Sequence, residues 1–456
     1  MNGDTISKPG LQGDPRMKGF RSRTSVAALA AWIDETIEAL PSEGVPLEAA
    51  WGRVLADDVI APDAVPPFDR CAMDGYAVRA EETFGASDYM PSVFRRVGRS
   101  RPGVACQAAV GPSEVVEVAT GSPLPAGADA VVPVEATRLD GDMVLVAEAV
   151  PQGRHVSRRG EDIVPGTVVL SAGRVLRPQD LGVLSAVGAA KVAVVRSPRV
   201  VVLITGDELL PPGTPSRGVQ NADANSVMLR ALVTRDGGYC EVDGPLADRR
   251  AGIREAILAA AGRADLILIT GGSSAGADDH VPGIITELGC QIAHGLALRP
   301  AGPTGVGLIL EQELPVVMLP GNPVSCLCGY DFVAGPIVRR LAGRPGRWPY
   351  RRVTLPLARK LSSVVGRVDY ARVRVCSGQV EPLSSSGASI LTSVSHASGF
   401  VVIAEGREGY PAGAMVDVWC YDDFATHENS STGNPIDPSR ESRDQSTRSA
   451  HQTPAG

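Results

Sequence analysis

The sequence predicts a multidomain α/β protein in which a doubly wound sheet follows helical segments and a small β-rich domain. From Arg199 to about residue 345, apolar runs typical of strands alternate with segments of helical periodicity, which indicates a mostly parallel sheet. Within this region a glycine-rich turn, residues 271–276, follows the apolar run 266–270 and precedes another helical segment. Between residues 80 and 155 the apolar runs are short and broken by Gly, Pro and Asp, which is typical of a small β-rich domain.

Composition limits the classes of function. The 456 residues are 44% hydrophobic and 21% charged, an ordinary composition for a protein with a large core. The formal net charge of −7 gives no general attraction for nucleic acid or anionic membranes, so an anionic ligand needs a local site. No apolar run is long enough to span a bilayer, and the first residues lack the apolar core of a secretion signal. We therefore expect a cytoplasmic protein with neither nucleic-acid nor membrane partners.

Cysteine and histidine spacing argues against a metal centre built from these side chains. The eight cysteines form no C-x-x-C pair, and Cys326 and Cys328 would point to different faces of a helix. No two of the six histidines are four residues apart, as a helical metal site would require. We expect reduced and mostly buried thiols.

The N-terminal region is predicted to be helical after a polar tail. Residues 1–23 have no apolar periodicity and are expected to be disordered. Apolar residues at helical spacing predict an amphipathic helix over 25–41, which Pro41 ends, and a second helical segment over 46–59. Residues 175–196 add a short helix and a strand.

The segment around Asp74 combines a turn with the start of a strand. Asp74 and Gly75 form a turn signal, and the residues from Tyr76 onward alternate as a strand does. Farther along, three arginines, at 154, 158 and 159, lie beside Glu161 and Asp162. This cluster is either a surface turn held by ion pairs or a place where an oxyanion and a metal ion meet.

Polar and glycine residues follow three strands of the predicted parallel sheet. Ligands bind outside the carboxyl ends of such strands, where backbone N–H groups and helix N-termini attract phosphate. A single glycine turn serves equally well to turn the chain, but three such strand ends favour a phosphate-bearing ligand. The predicted ligand-binding residues here are Thr205, Gly206, Gly271, Gly272, Ser273, Ser274, Gly276, Pro320, Gly321, Asn322 and Pro323.

Six motifs in a fixed order resemble those of a known family. They are PPFDRCAMDGYAVR, TGSPLPAGADAVV, RRGEDI, TGDEL, GGSSAGADD and LPGNPVS. Together they resemble the molybdopterin molybdenumtransferase family, which includes the bacterial MoeA-type enzymes and the E domain of gephyrin. The resemblance covers residues 25 to 424.

The resemblance implies an elongated protein of four domains that works as a homodimer. Its implied divisions are a disordered N-terminal tail (1–23), a discontinuous helical and mixed domain (24–60 and 156–195), a β-rich insert domain (61–155), a molybdopterin-binding α/β domain (196–345), a C-terminal β domain (346–424) and a disordered tail (425–456).

The activity that the resemblance implies is insertion of molybdenum from molybdate into adenylylated molybdopterin, with release of AMP and a requirement for Mg²⁺. Implied partners are a molybdopterin adenylyltransferase and apo-molybdoenzymes. The implied catalytic residues are Asp74, Asp162, Glu208 and Asp279, and the implied metal ligands are Asp207, Glu208 and Asp279. Further implied binding residues are Thr120, Asp248, Arg299 and Arg372. Because Asp74 and Asp162 lie outside the α/β domain, the site is expected in a cleft between domains, completed across the dimer.

The sequence departs from the family pattern where oxyanion binding is expected. Two of three lysines usual in the family are glycines here, at Gly295 and Gly302, and the third is Arg299. A serine usual near the C-terminal end is Ala388, for which Ser386 and Ser389 are candidate substitutes. His294 is either a surface histidine with no role, which is the favoured interpretation, or, when protonated, a partial replacement for the lost charge. A turn that resembles Asp-Ser-Asn reads 223–225, Asp-Ala-Asn.

Two functions therefore stay open at this point. One is an active molybdenumtransferase. The other is a divergent, non-catalytic relative that binds molybdopterin or the finished cofactor as a carrier or scaffold. The retained acidic motifs favour the enzyme, because carboxylates near a phosphate repel it unless they hold a cation.

Overall fold

The computed structural model describes residues 23–272, 280–383 and 389–422. Both predicted disordered tails lie almost wholly outside these residues. So do Ser273, Ser274, Gly276 and Asp279 of the glycine-rich turn, and Ser386 and Ala388. Among the described residues no helix is both long and apolar enough to cross a membrane. All eight cysteines are free thiols, as expected, and four of them are buried.

The first predicted helix forms and the second does not. The helix Val26–Thr36 is capped by Ser25, whose hydroxyl accepts a hydrogen bond from the Ala28 amide at 3.1 Å. Where a second helix was predicted, residues 46–59 hold only a 3₁₀ turn, Leu47–Ala49, and otherwise extended chain. The prediction is wrong because Gly52, at φ +73°, turns the chain so that short extended stretches pair with later strands.

Segments that precede and follow the β-rich insert in sequence pair with each other. The strand Ser42–Pro46 runs antiparallel to Lys191–Val195, and Val59–Ile60 runs antiparallel to Val168–Leu170. A third pair joins Arg70–Cys71 to Val156–Ser157. The predicted short helix of this region is Pro178–Ala186.

A six-stranded sheet lies between these paired segments in sequence, where the β-rich region was predicted. Its core is formed by valines of alternate strand positions together with Phe94 and Tyr76. In spatial order its strands are Ala130–Pro133, Gly75–Val78, Glu114–Val118, Ser92–Ser100, Met143–Val146 and Thr137–Asp140.

The predicted doubly wound sheet is present, with four parallel strands and two further strands at one edge that are joined by antiparallel pairing. In spatial order the strands are Tyr239–Leu246, Arg199–Thr205, Leu266–Thr270, Leu314–Leu319, Gly305–Ile309 and Gly289–His294. Alternate residues of the central strands pack on opposite faces: Val202 and Leu268 belong to one core, and Leu203 and Ile269 to the other. The helices that cover these faces are Asn225–Arg235, Arg250–Ala261, Val281–Leu288, Pro323–Gly329 and Gly335–Leu341, the last two joined by a π-helical turn, Tyr330–Ala334.

The C-terminal region is a mixed sheet joined to the α/β region by one short strand. Leu298–Arg299 leaves the α/β region and pairs in parallel with the start of Val368–Cys376. The other strands of this sheet are Gly399–Ile403, Met415–Cys420, Arg351–Pro356 and Gln379–Pro382. Two more strands of the C-terminal region, Leu361–Ser362 and Gly409–Tyr410, form a separate antiparallel pair. The region also contains one short helix, Thr392–Ser395.

A buried polar network lies where the C-terminal sheet meets the α/β region. The Asp331 carboxylate is fully buried and accepts hydrogen bonds from the hydroxyls of Tyr350, at 2.9 Å, and Tyr370, at 3.2 Å. Burial raises the pKa of Asp331 to about 6, although Arg235 beside it acts in the opposite direction. The network makes the junction sensitive to the charge on one carboxyl group.

We predict that Asp331→Asn changes the pH dependence of stability. Because the folded-state pKa exceeds the unfolded value of 3.8, the contribution of Asp331 to stability is complete below pH 4 and is lost as the pH rises through about 6. The variant stays neutral, so its thermal midpoint should rise relative to wild type between pH 4 and 7, by the equivalent of roughly 3 kcal/mol. Thermal unfolding across this pH range measures the difference. The exposed-residue control Glu48→Gln should show no such trend, and parallel curves for Asp331→Asn and wild type would contradict the prediction.

Candidate functional site

The carboxyl ends of two neighbouring parallel strands, Arg199–Thr205 and Leu266–Thr270, meet at Gly271. A Cβ atom on this residue would lie 2.3 Å from the Thr205 carbonyl oxygen and 2.7 Å from its hydroxyl. The backbone φ of +94° also favours glycine. Gly271 is therefore required both by the space available and by the conformation of the turn that follows strand Leu266–Thr270.

Asn225 links the same strand end to the third predicted loop. Its side-chain amide donates to the Thr270 hydroxyl at 2.8 Å and to the Gly321 carbonyl at 2.7 Å. The residue is held at the start of its helix because Asp223 accepts hydrogen bonds from the amides of Asn225, at 2.8 Å, and Ser226, at 3.1 Å. This role of the 223–225 turn was not predicted from the sequence, in which the turn is only a departure from the family pattern. An Asp two residues before a helical Asn was the signal available.

The three predicted strand-end loops therefore converge. A Cβ atom on Gly321 would be 3.8 Å from the Gly271 Cα atom, so the 320–323 loop lies directly against the glycine turn. Pro323 begins the helix at this point, with Asn322 as its N-cap and Pro320 buried behind it. Gly272 has a φ of +57°, so the turn continues through a second left-handed residue. This residue is the last one described before the gap at 273–279.

Two buried polar atoms at this convergence make no hydrogen bond with another described residue. They are the Thr205 hydroxyl and the Asn225 side-chain oxygen, in residues that are only 2% and 7% exposed. Buried polar atoms in folded proteins normally have a partner, and leaving one without costs about 1–3 kcal/mol. Both atoms are thus available to a polar ligand bound at the strand ends.

Carboxylates surround the first of these loops. The Glu208 carboxylate lies over Gly206, where a Cβ atom would be 2.8 Å from it, and the φ of +151° at Gly206 again suits glycine. The Asp207 carboxylate accepts a hydrogen bond from the Asp248 amide at 3.2 Å. Asp207, Glu208 and Asp248 are exposed. Among the described residues no three His, Cys, Asp or Glu side chains form a metal-binding group, and Asp279, the third predicted ligand, lies outside them.

Asp74 and Thr120 are brought together in the insert sheet. One Asp74 carboxylate oxygen accepts from the Thr120 amide at 2.6 Å and from its hydroxyl at 2.9 Å. This follows from the register, since Gly75 pairs with Val118 on the neighbouring antiparallel strand. The Thr120 amide, followed by its hydroxyl, lowers the pKa of Asp74, so this exposed carboxyl group is ionised at neutral pH.

The arginines near Asp162 are held by carboxylates that sequence analysis did not select. Arg158 donates to Asp69 at 2.7 Å, and the backbone amide of Arg159 donates to the same carboxylate at 2.8 Å. The Arg159 side chain donates to Asp63 at 2.9 Å. The hydrogen bond from the Arg159 amide is the main reason that the pKa of Asp69 is lowered. These contacts support the ion-paired surface turn and leave Asp162 itself exposed.

The predicted residues thus form two separate groups in one chain. One contains Asp74, Thr120 and Asp162, and the other lies at the strand ends around Thr205 and Glu208. Among the residues that the structure describes, no hydrogen bond or ion pair links the two groups across the cleft expected between domains.

Arg299 has a carboxylate partner that the sequence did not reveal. Its guanidinium donates two hydrogen bonds to the two oxygens of Asp369, a side chain only 7% exposed, and the Ser363 hydroxyl donates to Asp369 at 2.6 Å. Arg372 is 2% exposed, and burial lowers its pKa while Tyr421 and other neighbours act in the opposite direction. The positive charge of Arg299 is compensated locally.

Three family models match consecutive parts of the chain. They are described as the MoeA N-terminal region, domains I and II (residues 24–188), a probable molybdopterin binding domain (201–340) and the MoeA C-terminal region, domain IV (354–421). The chain belongs to the MoeA family of molybdopterin molybdenumtransferases. The family predicted from the six motifs is confirmed, and with it an enzymatic role in molybdenum cofactor biosynthesis.

Similar proteins match along most of their length. Molybdopterin molybdenumtransferase 2 of Mycobacterium tuberculosis is 36% identical over 397 residues, which cover 85% of this chain and 97% of the relative. The molybdopterin molybdenumtransferase of Haemophilus influenzae is 32% identical and covers 84% of this chain and 95% of its own. The crystal structure of a molybdopterin biosynthesis MoeA protein from Pyrococcus horikoshii has a TM-score of 0.75 at 32% identity, covering 88% of this chain and all of that one. These matches confirm the mixed α/β multidomain fold.

We predict that Gly271→Ala disrupts the strand-end site more than a conformational penalty alone explains. The added methyl group would overlap the Thr205 carbonyl and force the two strand ends apart. The matched control is Gly213→Ala, which has a φ of +75° and nothing within 4 Å of its Cβ position. Each substitution should cost about 1 kcal/mol for a positive φ.

Only Gly271→Ala should also weaken molybdopterin binding, which equilibrium binding of the purified pterin measures beside a thermal melt of each variant. Equal losses of stability and unchanged pterin affinity in both variants would show that the contact with Thr205 does not shape the site.

Proposed function

We propose that this protein is a molybdopterin molybdenumtransferase that inserts molybdenum from molybdate into the dithiolene of adenylylated molybdopterin and releases AMP. The observation that carries the proposal is the convergence of three strand-end loops at Gly271, where Thr205 and Asn225 each hold a buried polar atom that makes no hydrogen bond with another described residue. The probable molybdopterin binding domain matched at 201–340 contains this convergence.

The strand-end loops hold the pterin and its phosphate. Glycines at 271, 272 and 321 keep side chains away from the backbone, so a phosphate can approach the N–H groups of the turn and of the helix that begins at Pro323. The Thr205 hydroxyl and the Asn225 side-chain oxygen bind polar groups of the ligand. The proposed set extends to Ser273, Ser274 and Gly276 by sequence.

Asp207 and Glu208 hold Mg²⁺ together with Asp279. Mg²⁺ is commonly held by one or two carboxylates while substrate phosphates and waters complete its coordination. The two exposed carboxylates beside Gly206 suit this role. When bound, the ion neutralises charge on the phosphates that link the pterin to the adenylate. Asp248 stays close to this group through its amide contact with Asp207.

Asp74 acts from a second protein surface. Its carboxylate is ionised and is held in one orientation by two hydrogen bonds from Thr120, so it can position the adenylate or accept a proton without reorienting. Since no direct contact of the described chain joins Asp74 or Asp162 to Glu208, we infer that a homodimer brings the two groups together, one from each protomer. A molybdopterin adenylyltransferase would supply the substrate in the cytoplasm, and apo-molybdoenzymes would accept the product.

Reconstitution with purified protein tests this proposal. Adenylylated molybdopterin, Mg²⁺ and molybdate should yield AMP and a cofactor that activates an apo-molybdoenzyme. Asp74→Asn and Glu208→Gln should each lower the rate by about a hundredfold or more, because each removes a charge that acts on the reacting phosphate. Asp140→Asn, an exposed carboxylate in the same insert sheet as Asp74, is the matched control and should keep the wild-type rate.

The two readouts also test the non-catalytic alternative. If the wild-type protein binds the pterin but releases no AMP even at millimolar molybdate or tungstate, the proposed transferase activity is wrong. The protein is then a non-catalytic binder of molybdopterin. Mixing Asp74→Asn with Glu208→Gln protein should restore part of the activity when sites are shared between protomers.

A further inference from the structure

The end of the insert sheet that lies away from Asp74 contains a cavity. Asp74 directly precedes the strand Gly75–Val78 and Arg79 directly follows it, so the two residues lie at opposite ends of this strand, roughly 16 Å apart along the chain. The cavity has a volume of about 380 Å³, and Arg79, Glu81, Phe84, Asp129 and Gln152 are among its lining residues. This volume is within the range of pockets that bind small ligands, roughly 300–1,000 Å³, and the proposed reaction makes no use of it.

Three carboxylates share one guanidinium group at this cavity. Arg79 donates a hydrogen bond to Glu81 and lies 3.1 Å from a carboxylate oxygen of Glu82. The hydrogen bond with Glu81, together with the charges of Glu81, Glu82 and Asp129, raises the pKa of Arg79. Among the described residues that line the cavity, Arg79 is the one cation. Three negative charges beside one positive charge leave an excess of negative charge, which attracts a second cation.

Two of these carboxylates are available to an incoming hydrogen-bond donor. One oxygen of Asp129 accepts a hydrogen bond from the Ala80 amide at 2.8 Å, which fixes the position of the carboxylate, and the other accepts none from the described part of the chain. The Glu81 side chain is 66% exposed. Glu82 is used within the chain, because it accepts a hydrogen bond from the Ser113 amide at 2.6 Å as well as pairing with Arg79. A cation that enters the cavity therefore meets Glu81 and Asp129.

The loop that follows Thr83 exposes large apolar side chains. Phe84 lines the cavity and is 67% exposed, and Tyr89 and Met90 of the same loop are 97% and 75% exposed. The loop is closed by two backbone hydrogen bonds between Ser87 and Met90, each at 3.1 Å. Aromatic residues and Met are enriched in protein interfaces, and the face of an aromatic ring attracts a cation. A negatively charged cavity with an aromatic rim and an apolar loop therefore suits a protein partner that presents a cationic side chain.

We propose that this cavity receives an arginine side chain of a partner protein, whose apolar neighbours pack on Phe84, Tyr89 and Met90. A guanidinium group is planar, so it can donate to the carboxylates of Glu81 and Asp129 while it stacks on the Phe84 ring. A lysine ammonium group offers neither the planar array of donors nor the stacking. Because the cavity lies at the other end of the strand from Asp74, binding here needs none of the residues of the proposed reaction.

Binding of a peptide probe tests the arginine cavity. The probe is a capped, fluorescently labelled tripeptide with arginine between two leucines. Its control contains citrulline instead, in which a neutral urea group of the same shape replaces the guanidinium group. Fluorescence anisotropy with the full-length protein, at concentrations up to millimolar, should show that the arginine peptide binds about tenfold more tightly or better than the citrulline peptide, because only arginine makes charge-assisted hydrogen bonds.

Variants of the lining residues locate the binding site. Glu81→Gln and Asp129→Asn should each raise the dissociation constant of the arginine peptide about tenfold, and the double variant should raise it further. The fold should be kept, because Glu81 is exposed and an asparagine oxygen at 129 can still accept from the Ala80 amide. Phe84→Leu should weaken binding about threefold through loss of the cation–π contact. Asp140→Asn, an exposed carboxylate elsewhere in the insert sheet, should bind as wild type does.

Two further measurements separate the other outcomes. AMP release should be unchanged in Glu81→Gln, so a failure of the proposed function and a failure of the arginine cavity appear in different assays. Light scattering should give the same oligomeric state for Glu81→Gln, Phe84→Leu and wild type. A change would mean that the surface binds a second copy of this chain, and the assignment to another protein would be wrong. Equal affinity of wild type for the two peptides, no binding of either, or unchanged affinity in the double variant would also overturn the proposal.

Discussion

The candidate site depends on the contacts that one side chain, Asn225, makes with two loops at once. Its amide group donates to Thr270 and to Gly321, and Asp223 fixes the helix start from which it acts. The strands that carry these loops are parallel neighbours, so their ends would be close in any case, but strand pairing alone does not set the spacing of the turns beyond them. Two buried hydrogen bonds, each worth about 1 kcal/mol, hold the glycine turns in contact and leave the Asn225 oxygen for a ligand.

The charged residues of the two groups have different partners. Near the insert sheet, Arg158 and Arg159 are bound to Asp69 and Asp63, while Asp74 and Asp162 are exposed. In the C-terminal sheet, Asp369 compensates the charge of Arg299. Ion pairs between distant parts of the chain therefore decide which charged groups stay available in each region.

Most of the fold was predictable because its signals are local or periodic. The alternation of apolar strands and helices from Arg199 onward predicted the doubly wound sheet, and alternate residues such as Val202 and Leu203 do pack on opposite faces. The helix predicted over 46–59 failed because its apolar residues have helical spacing but a turn at Gly52 and pairing with distant strands prevail. Asp74 and Thr120 were selected by motif, and their contact depends on a strand register that motifs do not encode.

The sequence by itself determined the family, the order of elements and the strand-end residues at Thr205, Gly271 and Gly321, since these depend on local chemistry and short motifs. Only the tertiary structure decided which charges remain available, because ion pairs form between residues far apart in the chain. Arg299 was predicted to bind an oxyanion, and its pairing with Asp369, 70 positions away, is a contact that the sequence did not indicate.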